Sequence, residues 1–568
     1  GKSAELIINE VVGTLTSNLQ GLLEVVGQKA SVFIANPNGI TCNGCGFVNT
    51  PAVTLSTGKP VFDKDGALAA LAVKKGTITI GEKGLDATAQ DDVDIISRAA
   101  ILNGKVQAKN LTLTQGANQV DFKHGTVVPI AGEGDSPWKA IDTGSLGGMY
   151  ANKIRLVSTE VGKEVNLANL TATQGDISLT ADGELSLANA LIKRAKNIFL
   201  ASKGEIEISL SPYLAKFNDN QSNTDSDVLN DDAQRELISQ RLRQFSQLEA
   251  DENIEIHAGA GVNLRGISLT AGKDITLTSG NSLDVGKVIT ANNKDTETTK
   301  LTAKQGGISL TANGRAALGD VQAKTDITVN GKDIETTKLT AEQGSISLTA
   351  SGKAALGDVQ AKTDITVNGK DIETAKQSNM QAGQSLILTT ETLRGQGEIS
   401  VGSDVTVKAS HLSFYGGKLK AGNQVLLQGE QNLTVRDTDI SGHDITLISS
   451  GGGISVSSGE NNSIVAGTRA FSIVSAANTL HILSEQGISL SNMLINRAKN
   501  IFLASKGEIE ISLSPYLAKF NDNQSSTDSD VLNDDAQREL ISQRLRQFSQ
   551  LEADENIEIH AGAGVNLR

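Results

Sequence analysis

Two adjacent stretches, 301–338 and 339–376, match at 33 of 38 positions, and no other feature restricts the fold as strongly. They read "LTAKQGGISLTANGRAALGDVQAKTDITVNGKDIETTK" and "LTAEQGSISLTASGKAALGDVQAKTDITVNGKDIETAK". Each divides into two 19-residue halves with one strand core apiece, "ISLTA" and "DITV". The opening phrase also occurs at 170–183 as "LTATQGDISLTADG". Self-similarity at such a period indicates a solenoid or array. A chain of 568 residues also exceeds what one compact core can bury.

The local pattern says which kind of array. "GEIEISLS" (204–211) alternates Ile206, Ile208 and Leu210 against Glu and Ser, and "DITVNG" pairs Ile327 with Val329. This is period-2 strand patterning, broken every few residues by Gly, Asn, Asp or Lys-Gly. A coil of ~19–24 residues with two or three short strands is a rung of a parallel β-helix. Ile308, Leu310, Ile346 and Leu348 should then point inward. Rungs ~4.8 Å apart, ~24 of them, would give a rod of roughly 110 Å. Aromatics make up only 3% of the chain, while Gly reaches 57 residues. That suits thin stacked layers, whereas a string of β-sandwiches would need a bulky core in each domain.

One segment breaks the alternation. "SDVLNDDAQRELISQRLRQFSQLEADEN" (226–253) places Leu237, Ile238, Leu242, Phe245 and Leu248 at helical spacing. Asn230 or Asp231 can cap its start, and acidic residues fill the first turn. The spacing predicts an amphipathic helix over about 231–249, covering the flank of the rungs. The block Arg194–Arg265 recurs as Arg497–Arg568 with one change in 72 residues (Asn223 becomes Ser526), so a second helix is expected over about 534–552. Whole-block duplication fits a stack in which each rung touches only its neighbours.

Composition narrows the function. A formal charge of −14 opposes a nucleic-acid partner, which would need concentrated Lys and Arg. No apolar run reaches the ~20 residues of a membrane-spanning helix. No leader is visible at "GKSAELIINE", and the chain stops at "AGAGVNLR", where the earlier copy runs on into "GISLTAGKDITLTSG". Both ends therefore read as cut. Parallel β-helices also serve polysaccharide lyases and glycosidases, but those cluster acidic and basic residues beside aromatics. No such cluster is visible, so no catalytic residue and no cofactor are expected.

The chain's only cysteines, Cys42 and Cys45, lie in "FIANPNGITCNGCGFVNT" (33–50). Zinc would need further ligands, and the six His (124, 257, 411, 443, 481, 560) are scattered, so no metal site is expected. A redox Cys-x-x-Cys would open a helix, whereas this one lies in a strand-and-turn stretch. A local disulfide in an exported chain and two idle thiols in a cytosolic one remain open. "ANPNG" (35–39) is a turn, in which Pro37 presets φ, Gly39 permits positive φ and the Asn side chains bond back to the backbone. The acidic run "NDNQSNTDSD" (218–227) lacks the Gly and Glu of a calcium loop and reads as solvated.

The segment "LIINEVVGTLTSNLQGLLEVVGQKASVFIANPNGITCNGCGFVNTPAVTLSTGKP" strongly resembles the secretion domain of two-partner-secretion exoproteins. These are the filamentous haemagglutinins, related haemolysins and contact-dependent growth-inhibition proteins. The likeness covers roughly residues 1–130, and later "LTAGKDITLTS"-type rungs resemble the family's right-handed shaft. It implies export through a partner outer-membrane transporter, with Asn36, Pro37, Asn38 and Gly39 as the recognition motif. It also implies that Cys42 and Cys45 join after export. The family's signal peptide, N-terminal cap, earlier Asn-Pro-Asn-Leu motif and C-terminal effector region are not found in this sequence.

The expected fold is all-β, a right-handed parallel β-helix (solenoid) with two short helical insertions. The expected order is a secretion-domain portion (1–130), rungs (131–211), a helical insertion (212–253), a shaft (254–514), a second insertion (515–556) and a last rung (557–568). The expected function is a secreted or surface-displayed adhesin that meets a receptor or glycan on a host or neighbouring cell. The alternative is the stalk of a growth-inhibition toxin or haemolysin.

Overall fold

The computed structural model describes residues 2–209, 247–291, 294–458, 472–512 and 550–568, and the chain divides into two units, Gly1–Ala323 and Lys324–Arg568. Among the described residues every regular element is a strand. The pairings are parallel apart from small antiparallel additions in the first unit. Both units are parallel β-helical stacks.

Columns of like side chains build the core of the first unit. Ile154, Ile177, Ile198, Ile254, Ile275 and Ile308 are successive ladder partners, and all are buried. Two residues along, Leu156, Leu179, Leu200, Ile256, Leu277 and Leu310 form a second column with no exposure. A β-branched side chain stacked on its own copy fills the layer with few voids, which is why the sequence needs so few aromatics.

In the second unit the register explains the repeat. Ile327 pairs with Ile346 and Ile346 with Ile365, so each 19-residue half is one rung. Leu348 sits between Val329 and Val367, buried like Ile346. A full repeat therefore spans two rungs.

The corner before each of these strands shows why the period is 38 rather than 19. The Asp326 carboxylate accepts the backbone N–H of Ser345 (2.7 Å), one rung on. Asp364 accepts from the N–H of Ser385 (3.1 Å), and Asp404 from that of Gln424 (3.0 Å). Charged and neutral residues thus alternate along the corner as Asp326, Ser345, Asp364, Ser385 and Asp404. The carboxylates lie two rungs apart, ~9.6 Å, just beyond the Debye length of about 8 Å. A strict 19-residue period would bring them within one rung of each other.

The first unit carries an addition to its early coils. In chain order the first elements are β1 (Leu6–Glu10), β2 (Ser17–Glu24), β3 (Ser31–Ala35), β4 (Ile40–Val48), β5 (Ala52–Ser56), β6 (Lys59–Phe62), β7 (Leu68–Val73), β8 (Thr77–Ile80) and β9 (Leu85–Ser97). β6 and β7 form a hairpin, and Asn118–Asp121 and Val127–Pro129 extend it into a four-stranded antiparallel sheet. This sheet packs on the outside of the coils through Leu71, Val73 and Val120 against Phe33, Ala35 and Ile96. Phe33 also meets Phe122 edge-on, with ring centroids 6.2 Å apart. The sheet covers outward apolar residues that the coil cannot bury by itself.

The predicted helices fall mostly outside the described residues, as does the acidic run at 218–227. Their C-terminal ends do not. Gln247–Ala250 and Gln550–Ala561 are strands, so the rungs resume before residue 253 and before residue 556. Leu248 lies in the core between Ile192 and Leu269 rather than on a flank. The column of aliphatic partners above and below it outweighs its helical spacing from Phe245 and Leu242.

Candidate functional site: the asparagine turn and cysteine corner

The chain passes from β3 to β4 through Asn36–Gly39. Asn36 is fully buried, and its backbone N–H donates to Ser56 O (2.9 Å). Its Nδ2 donates to Leu15 O and to Ser17 Oγ, both at 2.9 Å. Its Oδ1 accepts from the N–H of Asn38 (2.9 Å) and from Asn38 Nδ2 (3.0 Å). Asn38, half-buried, also donates from Nδ2 to Gly13 O (2.7 Å). Gly39 closes the turn through its N–H to Asn36 O (3.1 Å) at φ +120, and an added Cβ would come within 3.0 Å of Thr77 O. Only Gly combines that backbone with that approach.

Asn36, Asn38 and Gly39 therefore form an internal brace on the connection between β1 and β2 and on Ser17, where β2 begins. What faces solvent is the braced segment, where Val12 is 89% and Leu15 79% exposed. Asn36 itself offers no surface to a partner. Asn49, which the sequence did not single out, repeats the device. At φ 56 it donates from Nδ2 to Val25 O (2.6 Å) and Gly27 O (2.9 Å), fixing the segment after β2.

Cys42 and Cys45 are disulfide-linked, with Cα atoms 5.4 Å apart, and both are buried. Cys42 pairs with Leu19 and Ile80, and Cys45 with Gly21 and Leu85. β4 thus spends three residues where β2 spends two. Asn43 and Gly44 take up the extra length as the coil turns from the β8 side to the β9 side. Asn43 Oδ1 accepts from the N–H of Lys83 (2.9 Å), tying that bulge to the next coil. The pair lies on a corner of the coil, where Cys42 faces the β8 side and Cys45 the β9 side. Among the described residues no group of three or more His, Cys, Asp or Glu could hold a metal ion.

Two charged features nearby escaped the sequence reading. Arg98 donates from Nε to Glu160 (2.8 Å) and from Nη1 to Glu133 O (2.8 Å), with both side chains nearly buried. Glu160 also accepts from the N–H of Ala117 (3.2 Å). The pair joins the coils to the segments that flank the antiparallel sheet. Asp94, on β9, has its carboxyl pushed up to about 6, by burial first and then by Asp92, with Arg155 opposing.

Residues 1–187 match the TPS secretion domain. Residues 1–187 of the chain therefore belong to the two-partner-secretion domain family. The match runs past residue 130 and takes in the asparagine turn, the cysteine corner, the antiparallel sheet and the Arg98–Glu160 pair. The chain is 38% identical to the 16S rRNA endonuclease CdiA of Enterobacter cloacae subsp. cloacae over 348 residues, 56% of this chain and 10% of that protein. It is 54% identical to the tRNA nuclease CdiA of Escherichia coli (strain NC101) over 191 residues, 34% of this chain and 6% of that protein. It thus spans a tenth or less of the length of these relatives. A crystal structure of a filamentous hemagglutinin secretion domain is 33% identical, with a TM-score of 0.35, over 36% of this chain and 71% of that one.

Proposed function

We propose that this chain is the export-directing and shaft-forming portion of a large adhesin. In this reading a partner outer-membrane transporter carries it to the bacterial surface, where distal regions meet a receptor or glycan on another cell. The secretion-domain match over residues 1–187 is the observation that carries the reading. Its role is mechanical and non-enzymatic, since parallel ladders give stiffness while each rung needs only its neighbour to fold.

Within this reading Asn36, Pro37, Asn38 and Gly39 act by positioning. They hold residues 11–17 in one shape, and Val12 and Leu15 are the side chains that the transporter meets. The Cys42–Cys45 pair fixes the corner that follows. A second reading, the stalk of a contact-dependent growth-inhibition toxin, is favoured by the CdiA names of the relatives. The nuclease activities in those names belong to those proteins.

The test places a Sec signal before Gly1 and co-expresses the chain with and without an outer-membrane transporter of the two-partner-secretion type. Export dependent on the transporter is expected. A Val12→Asp/Leu15→Asp chain should fold normally and be exported several-fold less. Export without the transporter would contradict the reading, and undiminished export of the double variant would contradict the assigned surface. Cell-binding and growth-competition assays on the full-length protein separate adhesin from toxin stalk.

A further inference from the structure

Cys42 and Cys45 belong to the core of their coil rather than to its surface. Cys42 has no exposure and Cys45 only 4%. On the ladder Cys42 lies between Leu19 and Ile80, and Cys45 between Gly21 and Leu85, so neighbouring coils close over the pair from both sides. Gly84 O lies 3.6 Å from Cys42 Sγ, and the N–H of Gly81 donates to Cys42 O (2.8 Å), which seats the covering coil. The seal is complete once the chain has been laid down as far as Leu85. The two cysteines are three positions apart, so they meet without any tertiary structure.

We infer that the Cys42–Cys45 bond is made on the extended chain, before its coil closes, by exchange with a thiol–disulfide oxidant. The thiolate of one cysteine attacks the oxidant's disulfide, forming a mixed disulfide and releasing one oxidant thiolate. The thiolate of the other cysteine then attacks the chain's own sulfur in that mixed disulfide. This forms the Cys42–Cys45 bond and releases the second oxidant thiolate. The two cysteines lose two protons and two electrons, and the oxidant's disulfide becomes a dithiol. Each attack needs a thiolate and an open approach to sulfur, and apolar burial removes both. The closed coil therefore preserves whichever state the pair had when it closed. The compartment rests on the export reading above. A finished stack of coils is far wider than one extended strand, so the coils close after passage and the oxidant acts in the periplasm. That order is opposite to the one implied by the family resemblance. The bond ties only four residues, which leaves the rest of the chain linear for export.

The experiment reduces the full chain, refolds it with reductant, removes the reductant and adds oxidised glutathione. Free thiols are counted over time by denaturation, alkylation and mass spectrometry. The folded chain should oxidise at least about a hundredfold more slowly than a synthetic peptide, Phe33–Thr50, in the same buffer. A reduced chain that folds only once oxidised would support the same order. Equal rates in the folded chain and the peptide would overturn the inference. A second arm exports the chain into aerated medium from cells with and without their periplasmic thiol oxidant. Surface protein from the cells without it should carry two free thiols, and fully oxidised protein there would overturn the periplasmic step. Failure of export from both strains would count against the export reading, while the rates in vitro still decide whether oxidation precedes folding.

Discussion

Asn36 and Asp326 both stand where a strand meets a corner, and both aim a side chain at a neighbouring coil. Asp326 accepts one N–H, from Ser345, and Asp364 and Asp404 do the same job two and four rungs on. Asn36 makes four side-chain hydrogen bonds to three other residues, and within the turn Asn38 and Gly39 add bonds to the same segment, to Gly13 O and from Ser17 N–H. The early coils depend on singular contacts, while the repeat region distributes its stability over equivalent ones. The secretion-domain match falls on the singular part. A surface that must be recognised needs a defined shape, whereas a shaft needs only reach.

The strongest way to break this contrast is at Arg98. Arg98→Ala leaves Glu160 nearly buried without its partner, which typically costs about 3–5 kcal/mol. Limited proteolysis should then cut within 59–73 or 118–134 well before the repeat region. Simultaneous loss of the second unit would mean that the two regions are not independent.

Asp94 gives the next effect, through pH. Its carboxyl sits near 6 in the fold against an ordinary 3.8. The folded state keeps a proton that the unfolded chain has already released. Stability is therefore full below about 3.8 and falls as pH rises towards 6. Asp94→Asn should stabilise the early coils by roughly 2–3 kcal/mol at pH 7.5, with no gain below pH ~4. Urea melts of both proteins at the two pH values check this, and a gain that persists at pH 4 would contradict the assigned cause.

A smaller change sharpens the account of the repeat region. Ser345→Asp inserts a carboxylate between Asp326 and Asp364, one rung from each. Like charges at ~4.8 Å should cost about 1 kcal/mol per pair, about 2 kcal/mol for the two pairs, at low ionic strength. Most of this should return in 1 M salt. A melting temperature unchanged at low salt would remove charge spacing as the reason for the two-rung period.

The sequence made the rungs legible because inward positions repeat the same residue, as the Ile154–Ile308 column shows. It misled at Leu248, where helical spacing from Phe245 coincided with strand alternation. A short apolar window satisfies both periods, and only the aliphatic partners one rung away decide between them. The antiparallel sheet left two signs. "DKDG" (63–66) is a hairpin turn, and the unbroken apolar run Val32–Ala35 departs from alternation because Phe33 and Ala35 meet that sheet. The Arg98–Glu160 pair left none, since residues 62 positions apart carry no local signature. For Asn36 the motif was visible but its direction was not. Side chains that bond back to the backbone are expected of such a turn, but here the backbone they bond is largely that of the preceding coil.

That last point is the most direct to test. Hydrogen exchange resolved by peptide should be compared between wild type, Asn36→Ala and Asp326→Ala. Removing Asn36 leaves Leu15 O with only the 3.5 Å bond from Asn38 Nδ2 and strips the N–H of Asn38 of its partner, at about 1–3 kcal/mol for a group left unsatisfied. Amides across 11–18 and 36–40 should therefore exchange at least tenfold faster, on the order of one RT ln 10 unit of 1.4 kcal/mol. Asp326→Ala should speed exchange only around Ser345, and by less. Equal, small and local responses at both sites would contradict the claim that the early coils rest on a single buried brace.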